Sequence, residues 1–144
     1  MHHYIKAPVA ILTVIGSVAI ANADAADPTV KAWQDGMHEL RQSSNILGDM
    51  AKKKSDFNAD IAGSAAQAMQ EEAKKLPELF KTKAEDPESD AKSGIWDNWE
   101  EFTSHAKDLE MAAADMDTSS LAGVQAGMKA VGGACAACHK EFKD

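Results

Sequence analysis

Apolar residues return every three or four positions along four stretches of the chain, with polar residues between them. That spacing predicts four amphipathic α-helices. The first runs from about Thr29 to Lys53, with Val30, Trp33, Met37, Leu40, Leu47 and Ala51 on its stripe and Ser44 as its one polar member. Asp27 suits an N-cap and Pro28 the first helical position. The second runs from about Asn58 to Leu76 on Ile61, Ala65, Met69, Ala73 and Leu76, and Pro77 is expected to end it. A polar linker follows over about 81–94. The third helix runs from about Ile95 to Met116, its stripe being Ile95, Trp99, Phe102, Ala106, Leu109, Ala113 and Met116. The fourth spans about Ser120 to Phe142 on Leu121, Val124, Met128, Val131, Cys135, Cys138 and Phe142. No segment alternates as a strand would. Four such helices with mostly short connections predict an all-α fold, a four-helix up-down-up-down antiparallel bundle.

The N-terminal region follows a different pattern. Lys6 precedes an uninterrupted apolar run from Val9 to Ala21, too short to span a bilayer. Small residues then offer cleavage after Ala23 or after Ala25. This predicts a secretory signal over residues 1–25, with the second bond favoured, and one domain over 26–144. An uncleaved anchor is the alternative, but no charged stop-transfer flank follows the run.

Charge narrows the choice of partners. The chain has a formal net charge of −8. Residues 85–117 hold eleven acidic side chains against Lys92 and Lys107, whereas residues 118–144 are slightly basic. A nucleic-acid partner is not expected. The acidic stretch either steers a basic partner or merely solvates helix faces.

The chemistry-bearing motif is Cys135-Ala-Ala-Cys138-His139, close to the C-terminus. Two cysteines three apart with histidine directly after form the attachment signature of a c-type haem. The thiols tether the ring as thioethers, and the adjacent imidazole is placed to bind the iron. In an oxidising compartment the same pair could instead close a disulfide. So small a loop would gain little stability from one. Because Cys135 and Cys138 fall on the fourth stripe, a haem tethered there would be enclosed by the other helices.

The stretch from Gly127 to Lys143, with Phe142 and Lys143 three and four places after His139, resembles the C-terminal signature of the cytochrome c-prime family, the class II cytochromes c. Ile95-Trp96-Asp97-Asn98-Trp99-Glu100-Glu101-Phe102 is similar to the start of that family's third helix. The resemblance implies a four-helix bundle enclosing a covalently bound haem c. In the family's high-spin branch an Arg-Gln pair precedes the distal residue by one turn, and the pocket admits small gases. Here that pair reads Trp33-Gln34. Asp35-Gly36-Met37 instead resembles the acidic-Gly-Met run of the low-spin, methionine-ligated branch.

His139 is accordingly the expected proximal iron ligand and Met37 the expected distal one. Ordinary packing is the alternative for Met37, since methionine fills cores well. His38 would compete only if the alignment slipped by one residue. His105, off its stripe, is expected to face water. Met50, Met69, Met111, Met116 and Met128 are expected in or partly in the core. Trp33, Trp96, Trp99 and Phe102 are candidates for haem packing or plain core. By its family counterpart, Lys143 would lie near the proximal histidine or a haem propionate. The expected function is a periplasmic one-electron carrier exchanging electrons with redox partner proteins. The competing function is a five-coordinate haem protein binding nitric oxide or carbon monoxide. No serine–histidine–acid set, P-loop or glycine-rich dinucleotide turn points to an enzyme. Family members often pair through their first two helices, so a homodimer is a further expectation.

Overall fold

A computed structural model describes residues 24–144. The expected signal segment lies outside them except for Asp24 and Ala25. Helix α1 spans Pro28–Ala51, and the Asp27 carboxylate accepts the N–H groups of Thr29 and Val30 at 2.7 and 3.1 Å. Helix α2 spans Ala59–Leu79, capped by the Asn58 side chain, which accepts the Ile61 N–H at 3.0 Å. Each cap satisfies donors that have no partner inside the helix.

Pro77 does not end α2. It sits in the last turn, and the Phe80 N–H still reaches the Leu76 carbonyl at 3.0 Å. So near a terminus, the proline forfeits one ladder bond without splitting the helix. The expected third helix is two pieces, α3 (Gly94–Asp97) and α4 (Trp99–Ala114), broken at Asn98 with φ −124° and ψ 50°. The Asn98 carbonyl accepts from Phe102 at 3.0 Å and its N–H donates to Gly94 at 2.9 Å, so the ladder restarts with little loss. Helix α5 spans Leu121–Phe142, and the Ser120 hydroxyl accepts the Gly123 N–H at 3.0 Å.

The long helices pack in the cyclic order α1, α2, α4, α5. All neighbours are antiparallel. Gly127 on α5 lies against Met116, and Phe102 and Phe142 meet edge to face at 5.7 Å at the opposite end of the same pair. The core follows the predicted stripes with three departures. Ser43 rather than Ser44 is the buried polar member of α1. Ile61 is 50% exposed, its expected place taken by fully buried Ala62. Met111 is 51% exposed and belongs to no core layer.

Residues 80–93 are not a free linker. Asp86 accepts the N–H groups of Ala26 and Asp27, both at 2.9 Å. The Gln34 side chain bonds the Ala25 N–H at 3.1 Å and the Glu88 carbonyl at 2.9 Å. At the other chain end, Ala91 pairs with Lys143 in an isolated antiparallel bridge. Lys92 N–H donates to Phe142 O and Asp144 N–H to Asp90 O, both at 2.9 Å. The loop therefore fastens the residues just ahead of α1 and the end of α5 to one another.

Candidate functional site

Helix register brings the motif opposite Met37. The Gln125 side chain donates to the Ala51 carbonyl at 2.8 Å, and Gly48 faces the Met128 methyl. α1 and α5 are antiparallel and rise equally per residue. Fourteen residues back from Ala51 stands Met37, and fourteen forward from Gln125 stands His139. The two expected axial ligands thus share a level on adjacent helices. Met37 is half-buried against the core, and so are Cys135 and Cys138.

The two cysteines are not joined to each other as a disulfide. Burial pushes Cys135 up, partly opposed by a backbone hydrogen bond. Burial and the neighbouring Cys135 push Cys138 up to about 11. His139 keeps much of its surface in solvent. The packing of its inner edge, then the nearby Lys143 charge, lowers its pKa and favours the neutral imidazole, the form that binds metal. Lys143 does not point freely at the histidine. Its ammonium lies 2.8 Å from Asp90, while its backbone N–H caps the His139 carbonyl at 3.0 Å.

Six aromatic side chains gather at this end of the bundle. Trp33 stacks on Phe80 at 4.9 Å and meets Trp96 at 5.5 Å. Phe80 meets Phe102 at 5.2 Å, and Trp99 stacks on Phe102 at 5.6 Å. Phe142 closes the group against Phe102. The two indoles with a hydrogen-bond partner are fixed in plane: Trp33 donates to Leu79 O at 2.7 Å and Trp96 to Phe80 O at 2.8 Å.

His105 corrects the sequence expectation. It is half-buried, with its ring edge-on to Phe142 at 6.0 Å, one turn along α4 from Phe102. Its position off the stripe hid this, because the large Phe142 ring reaches past the seam. His38 is exposed, 3.5 Å from Arg41.

The donor set suits a macrocycle rather than a bare ion. Among the described residues no group of three or more His, Cys, Asp or Glu could hold a metal. A haem brings four in-plane nitrogens, so two tethering sulfurs and one or two axial side chains suffice. Also among the described residues, no helix is long and apolar enough to cross a membrane.

The family model for Cytochrome C' matches residues 28–143. Cytochrome c-554 of Cereibacter sphaeroides is 35% identical over 104 residues, covering 67% of this chain and 78% of that protein. Cytochrome c-556 of Agrobacterium tumefaciens (strain B2A) is 32% identical over 117 residues, covering 76% and 93%. Among solved structures, cytochrome c' from Rubrivivax gelatinosus superposes with a TM-score of 0.70 at 22% identity, over 81% of this chain and 94% of that one. A ferrous variant of cytochrome c prime from Alcaligenes xylosoxidans with bound NO reaches 0.72 at 18% identity, over 81% and 93%. Sequence match, bundle and attachment motif agree: the chain belongs to the cytochrome c' family, helical bundles that carry a covalently attached haem c.

Proposed function

We propose that the protein is a periplasmic one-electron carrier with histidine–methionine ligation of a haem held by Cys135 and Cys138. The shared level of Met37 and His139 across the α1–α5 pair is the observation that carries this reading. Haem iron supplies the exchange of a single electron between its ferric and ferrous forms. The chain supplies everything around that exchange. Cys135 and Cys138 fix the ring on α5, and the neutral His139 imidazole offers its lone pair. Met37, a soft thioether on a packed helix, favours the ferrous state and keeps coordination unchanged between states. Trp33, Phe102 and Phe142 exclude water from the same end.

The experiment is Met37→Ala on the holoprotein. The native reduced form is expected to show sharp low-spin visible bands that ignore carbon monoxide. The variant is expected to turn high-spin and to bind the gas. A native protein that already shifts with carbon monoxide would overturn the reading in favour of a gas-binding site.

Export is part of the proposal. Asp24 lies 3.8 Å from Lys31, and Ala25 is buried in the core with its N–H on Gln34. That support favours the bond after Ala23 over the bond after Ala25, because the latter would remove a packed methyl and one fastened amide. The mass of the exported protein distinguishes Asp24 from Ala26 as first residue. Pairing of two copies is supported by exposed Ile46 and Ile61, which line a shallow groove of about 430 Å³ between α1 and α2.

A further inference from the structure

A second groove lies on the opposite side of the bundle from the α1–α5 pair. It encloses about 560 Å³ between the C-terminal part of α2 and the tryptophans of α3 and α4, lined by Lys74, Pro77, Glu78, Lys81, Trp96 and Trp99. Both tryptophans are half-buried, so each presents part of its ring to solvent. The Lys83 ammonium lies 5.7 Å over the Trp96 ring. Glu78 is the one carboxylate in the wall, and Lys81 stands 3.7 Å from it. On the α2 side, residues 74–83 hold Lys74, Lys75, Lys81 and Lys83 against Glu78, a net of +3, while the exposed Asp97 and Glu100 beside the tryptophans lie outside the lining.

Ring-to-ring contacts lead from this groove to within one helical turn of both expected iron ligands. Trp96 meets Trp33 at 5.5 Å, and Trp33 lies one turn before Met37. Trp33 also stacks on Phe80, and Phe80 leads through Phe102 to Phe142, three residues after His139. Electron tunnelling weakens steeply with every ångström of empty space, so closely spaced rings form a favourable route. Partly exposed tryptophan beside lysine is also the composition that protein interfaces favour in aromatic content and that opposite charge can steer.

We propose that the Trp96–Trp99 groove is the docking port for a redox partner with an acidic face, and that the electron crosses there. The partner's carboxylates meet Lys74, Lys81 and Lys83, and its apolar contact covers the tryptophans. One electron leaves the ferrous protein and the oxidant gains it; no bond or proton moves. The inference rests on the one-electron reading, and not on Met37 as ligand.

Two inorganic oxidants of opposite charge test it, applied to the reduced holoprotein by stopped flow at low salt. Ferricyanide, a trianion, stands in for the acidic face; tris(phenanthroline)cobalt(III), a trication, is its counterpart. Combined Lys74→Glu, Lys81→Glu and Lys83→Glu is expected to slow ferricyanide about tenfold and flatten its salt dependence, without slowing the cobalt complex. Lys129→Glu with Lys140→Glu, exposed on α5, is expected to leave the ferricyanide rate within about twofold, well below the effect of steering charges. Trp96→Leu, with an unchanged reduced spectrum, is expected to slow ferricyanide several-fold. The proposal is overturned if the α5 pair matters more than the groove lysines, if both oxidants lose equally, or if Trp96→Leu has no effect. A protein that neither oxidant can oxidise would count instead against the carrier reading.

Discussion

The two ends of the bundle are packed by different means. The end holding the start of α1 and the last turn of α5 is built from Trp33, Phe80, Trp96, Trp99, Phe102 and Phe142. The other end, among the described residues, has the partly buried Phe57 as its one ring against the core and relies on Leu47, Met50, Ala62, Ala65, Ala66, Ala113, Met116 and Val124. Small side chains there let backbones approach. A Cβ added at Gly127 would strike Met116, and one at Gly123 would strike the Asp117 carbonyl. Large rings at the motif end stack on one another and give a flat cofactor something to lie against. One end is thus a clasp that closes on itself, and the other is a frame. The attachment motif lies in the frame.

Replacing both Cys135 and Cys138 by serine breaks this contrast most completely. Haem is expected to be lost to acid–acetone extraction, and thermal unfolding should drop sharply because the frame loses its contents. An unchanged melting temperature would show that the aromatic end packs without the ring.

Paired core truncations sharpen the comparison next. Phe102→Ala is expected to cost about 3–5 kcal/mol and Leu47→Ala about 2–5 kcal/mol in denaturant unfolding. Only Phe102→Ala should also disturb the visible spectrum. If Leu47→Ala shifts the bands as much, the ends are not separable. Gly127→Ala should then cost about 1–3 kcal/mol by overpacking the clasp, with the spectrum untouched.

Acid sensitivity is the mildest probe. Hydrogen bonds from the Asp27, Glu88 and Ala26 amides hold the Asp86 carboxyl below its ordinary value. At the clasp, the hydroxyl and amide of Ser119 and then the hydroxyl of Ser120 do the same to Asp117. A lowered folded pKa contributes stability above the ordinary carboxylate range and loses it as pH falls through the folded value. Melting curves between about pH 7 and pH 3 should therefore flatten in both Asp86→Asn and Asp117→Asn. Hydrogen exchange should quicken at Ala26 and Asp27 only in the first.

Much of this architecture was legible in periodicity. The stripes on α4 and α5 read correctly because their buried members, Phe102, Ala106, Leu109, Ala113, Val124, Val131 and Phe142, are all apolar. Ile61 misled because the pattern rewards size: a small residue beside it, Ala62, fits the close approach and the isoleucine turns out. The break at Asn98 left no trace, since Ile95 and Trp99 keep their four-residue interval across it and no glycine or proline intervenes. His105 was hidden by its place off the stripe, where the Phe142 ring reaches past the seam to meet it. The motif announced the attachment site, but its distance from Met37 along the chain required the register of two helices. Neither the lysine–tryptophan groove nor the ties of residues 80–93 have a local signature, because their partners lie tens of residues apart.

The stitching of Ala26 and Asp27, just ahead of α1, and of the end of α5 to that one loop has a practical consequence. A fusion partner at the C-terminus, or one joined directly ahead of Asp24, would tug on the pairing at Lys143 or on the amides held by Asp86. The turn between α1 and α2, whose Lys52 to Asp56 are all exposed, makes no such ties to the far end and is the place to insert cargo or split the molecule for circular permutation.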